Sequence, residues 1–143
     1  MIEQILNEKN EIMAIVIRKT FSLSNSISFI TPDDFSQQLG YMSRPRGYVI
    51  PPHVHNLIPR EVKLTQEVLY IKNGHIRVDF YIDLNNYYKS LDLYTGDVIL
   101  LAFGGHGFEM IEESEIIEIK QGPYCGEFDK IRFNPIDKAL IKY

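Results

Sequence analysis

Residues 75–82, His-Ile-Arg-Val-Asp-Phe-Tyr-Ile, alternate apolar and polar side chains at six of their first seven positions. An extended chain sends successive side chains to opposite faces. Ile76, Val78, Phe80 and Ile82 therefore share one face, and His75, Arg77 and Asp79 the other, which predicts a half-buried β-strand. The rest of the chain repeats this kind of segment. Glu67–Lys72 and Asp97–Phe103 are nearly continuous apolar runs and are expected to be covered more fully. Ile116–Lys120 is a further strand, and residues 11–17 and 26–30 are two early ones. The polar stretch Asp83-Leu84-Asn85-Asn86 predicts a hairpin loop ahead of a strand at Tyr87–Leu93. Glycine and proline cluster at Pro45–Pro52 and Gly104–Gly107 and punctuate the chain at Gly74, Gly96 and Gly122-Pro123. Short runs rich in Val, Ile, Tyr and Phe, set apart by turn residues, predict an all-β sandwich or barrel.

One short helix is expected. Thr31 suits an N-cap, Pro32 the first helical position, Ile30 and Phe35 a hydrophobic staple, and Gly40 a stop, which predicts a helix over Asp33–Leu39. The tail from Glu127 to Tyr143 carries Phe128, Ile131, Phe133, Ile136, Leu140 and Ile141, and is expected to pack back on the domain.

Composition narrows the class. The 143 residues, 45% hydrophobic, show no repeat or linker, so one domain over 1–143 is expected. Fifteen Lys+Arg against nineteen Asp+Glu give a net charge of −4, with no basic stripe of the kind nucleic acid requires. The single cysteine, Cys125, cannot close an intramolecular disulfide or build a thiolate metal site, which favours a reducing compartment. The apolar run Val98–Phe103 is far shorter than the roughly 20 residues of a membrane span. Glu3, Glu8 and Glu11 break the pattern of a signal peptide. A cytoplasmic protein is expected, with neither nucleic acid nor membrane as partner.

Three of the four histidines stand where chemistry is conceivable. His53 and His55 are one residue apart, so on an extended chain both imidazoles face the same way, roughly 7 Å apart at Cα. Glu67 opens a predicted strand, and His106 lies in a glycine-rich turn. Three imidazoles and a carboxylate suit one divalent ion such as Fe, Mn, Co, Ni or Zn. The competing reading is two polar histidines beside a Pro-Pro turn and an unrelated third. His75, on the polar strand face, is expected at the surface.

The arrangement resembles the cupin family. Its first motif runs Gly, five residues, His-x-His, a spacer, Glu, six residues, Gly. Here Gly47 precedes His53-Val54-His55 by five residues, and Glu67 precedes Gly74 by six. In the second motif Gly96-Asp97 opens, Ala102-Phe103-Gly104 takes the Pro-x-Gly place, and His106 falls one residue early. The eleven residues between His55 and Glu67 exceed the usual three or four, which reads as an inserted loop, Asn56–Gln66. The resemblance covers about residues 45–121. It implies a double-stranded β-helix, a jelly-roll-like barrel, with His53, His55, Glu67 and His106 as metal ligands and a homodimeric assembly. Gly-His-Gly-Phe-Glu-Met at 105–110 and Lys-Gln-Gly-Pro-Tyr at 120–124 are similar to segments of small cupins from bacterial surface-polysaccharide and sugar-nucleotide pathways.

Several side chains compete for roles around such a site. Gln66 and Glu61 are alternatives to Glu67 as the oxygen ligand, the Glu-to-Gly74 spacing favouring Glu67. Glu109, Lys120 and Tyr124 are the candidate acid–base groups. Arg60 and Lys63 could form a mouth that attracts an anion, or simply be solvated. Gly104, Gly105 and Gly107 would let the backbone turn beside His106. Cys125 has no base beside it in sequence that would make it a nucleophile. The resulting expectation is a metal-dependent enzyme acting on a small polar or sugar-like substrate by isomerisation, epimerisation or related chemistry. An Fe(II) dioxygenase and a non-catalytic small-molecule binder stand as alternatives, because one fold hosts all three.

Overall fold

A computed structural model describes residues 1–143. Strands hold 40% of the residues and helix 5%, in three antiparallel sheets with no closed barrel. In chain order the strands are β1 (Ile2–Leu6), β2 (Ile12–Ile17), β3 (Ser26–Phe29), β4 (Gly40–Ser43), β5 (Glu67–Asn73), β6 (His75–Tyr81), β7 (Tyr87–Tyr94), β8 (Val98–Leu101), β9 (Gly105–Met110) and β10 (Glu115–Lys120). The larger sheet has the order β1-β2-β8-β5-β10, the second β7-β6-β9, and β3-β4 form a separate pair. No helix is long and apolar enough to cross a membrane.

The predicted alternation sets the core. Ile76, Val78 and Phe80 of β6 are at most 1% exposed and pack with Leu69 and Ile71 of β5, Ile99 and Leu101 of β8, and Ala14 and Val16 of β2. Two sheets thus share one apolar layer, and each fully buried aliphatic or aromatic side chain in it contributes about 1.5–3 kcal/mol. The 83–86 loop forms as expected, with the Ile82 amide donating to the Asn86 carbonyl at 2.9 Å. Strands β1, β4 and β9 have no counterpart in the sequence reading.

Two expectations need correction, and a third holds in part. The helix expected over Asp33–Leu39 does not form, and a side-chain-knit loop over residues 31–39 replaces it. The Thr31 hydroxyl accepts from the Leu39 amide at 3.1 Å, and the Gln66 side-chain oxygen accepts from the Gln37 amide and the Ser36 hydroxyl at 3.0 Å. A seven-residue helix would have to recover its own nucleation penalty, whereas these side chains satisfy the amides directly. The loop instead lays Phe35 and Leu39 over Val68, Leu100 and Ala102, on the other face of the larger sheet.

The second correction concerns Arg77 and Asp79. Their face of β6 is not solvated: they are 6% and 4% exposed. The third concerns the tail. It does dock on this face, through Phe133 against the Tyr81 ring at 4.9 Å and the Ile136 amide donating to the Tyr81 hydroxyl at 2.9 Å. The Ser90 amide also donates to the Lys142 carbonyl at 2.6 Å. Phe128, Ile131 and Leu140, however, remain exposed. Hydrogen bonds, one aromatic contact and the ion pairs of Asp129 with Lys120 and of Lys138 with Glu109 hold the tail, not a continuous apolar stripe.

Candidate functional site

Glu67 opens β5 and shares the inward face with Leu69 and Ile71, as strand parity predicts. His106 is the second residue of β9 and lies across from Phe80 of β6, so its side chain also faces the layer between the sheets. The two belong to different sheets, yet Glu67 Oε2 and His106 Nε2 are 3.1 Å apart. Their side chains are 9% and 28% exposed. An ionised carboxylate only accepts, so the imidazole Nε2–H is the donor in this pair. That hydrogen bond is the main reason the Glu67 carboxyl is held below the usual carboxylate range, against the opposing effect of burial. The positive charges of Lys130 and Lys120 act in the same direction.

The pair lies on the wall of a cavity of about 860 Å³ that also touches Arg77, Glu109 and residues 129–136 of the tail. β9 is an outermost strand of its sheet, and residues from both of its faces line this space. The cavity therefore opens around that free edge, between the sheets and the tail.

The remaining expected site residues are distributed differently. His53 and His55 lie in the exposed segment between β4 and β5, where no strand forms. Their rings meet each other edge to face at 5.4 Å, as an i, i+2 pair allows. His53 Nδ1 is 3.0 Å from the Pro51 carbonyl. Neither lines the cavity of Glu67 and His106, and nowhere do three His, Cys, Asp or Glu side chains gather as a metal cluster would. The quartet expected from sequence is thus half assembled. Pro45, Pro51, Pro52 and Pro59 remove four amide donors from this segment, which leaves it ill suited to join a sheet beside β5.

Among the alternative oxygen ligands, Glu61 is 80% exposed at its side chain and 3.6 Å from Lys63, a solvated loop pair. Gln66 is buried and committed to the 31–39 loop. Lys120, across from Glu67 in register, is not a free lysine: its ammonium contacts Asp129 at 2.8 Å, which raises the lysine and lowers the carboxyl. Tyr124 is 80% exposed, with Lys120 Nζ 5.8 Å from its ring centre. Glu109 points to the face of β9 opposite His106, and bridges Arg77 Nη1 at 2.8 Å and Lys138 Nζ. Glu109 therefore braces the tail and does not converge on His106. His75 is half-buried rather than at the surface, stacked on the Tyr94 ring at 4.3 Å.

The structure adds residues that the sequence reading passed over. Arg77 Nε and Nη2 donate to the two oxygens of Asp79 at 2.7 and 3.0 Å, and the Ser90 hydroxyl donates to Asp79 at 2.5 Å. Opposite charges two residues apart on one strand face were the available signal. Lys130 and Arg132, also on the cavity wall, were hidden among the apolar residues of the tail.

Gly104 shapes the approach to His106. Its φ of +84° suits glycine, and a Cβ there would stand 2.7 Å from the Tyr81 carbonyl oxygen. The expected role of this glycine, a tight backbone turn next to the histidine, agrees with that geometry.

Comparison with protein-family models, with curated proteins and with solved structures finds no significant match. What the chain does must be argued from its own residues.

Proposed function

We propose that this chain is a metal-binding protein of the cupin kind, built on a double-stranded β-helix. In this reading it is an enzyme for isomerisation, epimerisation or related chemistry on a small polar or sugar-like molecule. One observation carries the reading: Glu67 and His106, both named as ligands from sequence spacing, meet at 3.1 Å although 39 positions apart. Two donors in neighbouring positions on one octahedral ion, each about 2.0–2.2 Å from it, are roughly 3 Å from each other. The spacing of Oε2 and Nε2 fits that requirement. An ionised carboxylate beside an imidazole is also the donor chemistry that Fe, Mn, Co, Ni and Zn accept.

Glu67 and His106 would hold the ion, with the two exposed imidazoles of His53 and His55 as the further ligands. A divalent ion there would supply Lewis-acid polarisation of a substrate oxygen. The protein's own groups do the rest. Lys120 and Lys130 help keep Glu67 ionised. The tail forms one wall of the cavity. Exposed Ile117 and Ile119 on the edge strand β10 support the homodimer that belongs to the same reading.

Elemental analysis of untagged protein tests the proposal. The expected result is close to one transition-metal ion per chain, with most of it lost in Glu67→Gln and in His106→Ala. A chain that carries no metal after growth and refilling in any of the five ions overturns it. Full occupancy in both variants does so too.

A further inference from the structure

We infer that Lys130 and Arg132 form an anion-binding subsite, which takes a phosphate or carboxylate group of the small molecule that reacts beside Glu67 and His106. The inference rests on the proposed function for its substrate, but its own support is a separate set of contacts. Most charged groups of the cavity wall are committed within the protein. Arg77 is held by Asp79 and Glu109, Lys138 by Glu109, Asp129 by Lys120, and Glu67 by His106. Lys130 and Arg132 line the same cavity and have no ion-pair or side-chain hydrogen-bond partner. One carboxylate of the wall, Glu118, is likewise without an ion-pair partner. The uncommitted groups therefore carry a surplus of one positive charge.

The backbone that carries the two cations is also anchored on both sides. Asp129 is tied to Lys120 at 2.8 Å, and Phe133 is docked on the Tyr81 ring at 4.9 Å. Residues 130–132 are strung between these anchors, across a cavity that holds the Glu67–His106 pair. Lys130 is extended, with φ −151° and ψ 154°, and both its side chain and that of Arg132 line the cavity. A guanidinium offers a planar fork that matches two anionic oxygens, and a neighbouring ammonium adds a mobile point charge. Anchoring the backbone on either side of 130–132 ahead of binding removes part of the ordering cost that a flexible cationic loop would meet.

The test is titration of the full-length chain with inorganic phosphate and, separately, with acetate at constant ionic strength, followed by amide NMR shifts. At least one of the two anions should perturb residues 129–133 saturably, and the arm that does so tells phosphate from carboxylate. In K130Q/R132Q the affinity should fall by about tenfold or more, the range expected for lost charge-assisted hydrogen bonds. K130R/R132K, which keeps both charges, should bind within about threefold of the parent, and so separates charge from damage to the tail. Glu67→Gln removes a metal donor and a nearby negative charge, and should leave anion affinity unchanged or tighter. No perturbation at 129–133 by either anion overturns the subsite, as does unchanged affinity in K130Q/R132Q. Anion binding that Glu67→Gln abolishes while K130Q/R132Q keeps it also overturns the subsite, and assigns the anion to the metal. Charge-dependent binding in a chain that holds no metal upholds the subsite and refutes the metal reading alone.

Discussion

Arg77 and Asp79, two residues apart on β6, form a bidentate ion pair that lies almost wholly beneath the C-terminal tail, with their side chains 7% and 5% exposed. The Ser90 hydroxyl donates to Asp79, and Glu109 takes a further guanidinium nitrogen. Four side chains from three adjacent strands are thereby joined on a face that no other sheet covers. The network supplies the polar floor on which the tail rests, and the tail in turn forms one wall of the cavity of Glu67 and His106.

Removing one partner of this pair should be costly. Arg77→Met leaves Asp79 buried with only Ser90 to satisfy it, and should lower stability by about 3–5 kcal/mol in urea unfolding. The double variant R77M/D79L should recover much of that loss, since neither charge is then stranded. A double variant no more stable than Arg77→Met would show that the pair is not the source of the effect.

The tail should loosen in acid. Lys138 holds the Glu109 carboxyl below its ordinary value of 4.5, with Arg77 assisting, and Lys120 holds Asp129 below 3.8. A carboxylate with a depressed folded pKa stabilises the fold above its unfolded value and loses that contribution as pH falls through the folded one. Protection factors of the Ile136 and Lys142 amides, which donate to the Tyr81 and Tyr87 hydroxyls, should therefore be flat from about pH 7 to 5 and fall below about 4. In Lys138→Ala protection should be lower at pH 7 and its fall in acid smaller, because the Glu109 pKa then differs less between the folded and unfolded chain. A decline already under way at neutral pH would contradict the assignment to these carboxylates.

His53 and His55 give a sharp test of the exposed segment. If they complete the metal set, H53A/H55A should lose at least about tenfold in metal affinity while its unfolding midpoint without metal stays that of the parent, because neither side chain is buried. Parent-like metal affinity in this variant would leave Glu67 and His106 with other co-ligands.

Gly104→Ala should lower stability by about 1–3 kcal/mol, through positive φ and contact with the Tyr81 carbonyl. It should also disturb the His106 contact, seen as a change in the His106 ring shifts. Gly107→Ala is the control, since a Cβ there meets nothing within 4 Å; an equal loss in both would remove the steric argument.

How much of this was legible in advance depended on the range of the interaction. Alternation along residues 75–82 and parity at Glu67 are properties of a single extended chain, and both the core face of β6 and the inward direction of Glu67 follow from them. The 83–86 turn is equally local, since Asn85 adopts its φ of +64° within the loop itself. The failures are all tertiary. The caps around Thr31 describe a helix that competes with nothing, whereas in the fold the Gln37 amide is taken by Gln66, 29 positions on. Arg77 and Asp79 read as solvated because the strand that carries them cannot reveal that a tail fifty residues later will cover it. Two further strands, β1 and β9, are edge partners whose pairing is decided by the neighbour they meet and not by their own alternation. The contact of Glu67 with His106 is of the same kind: sequence named both residues, but only the packing of two sheets sets their separation, because hydrogen bonds and Coulomb forces act across space and not along the chain.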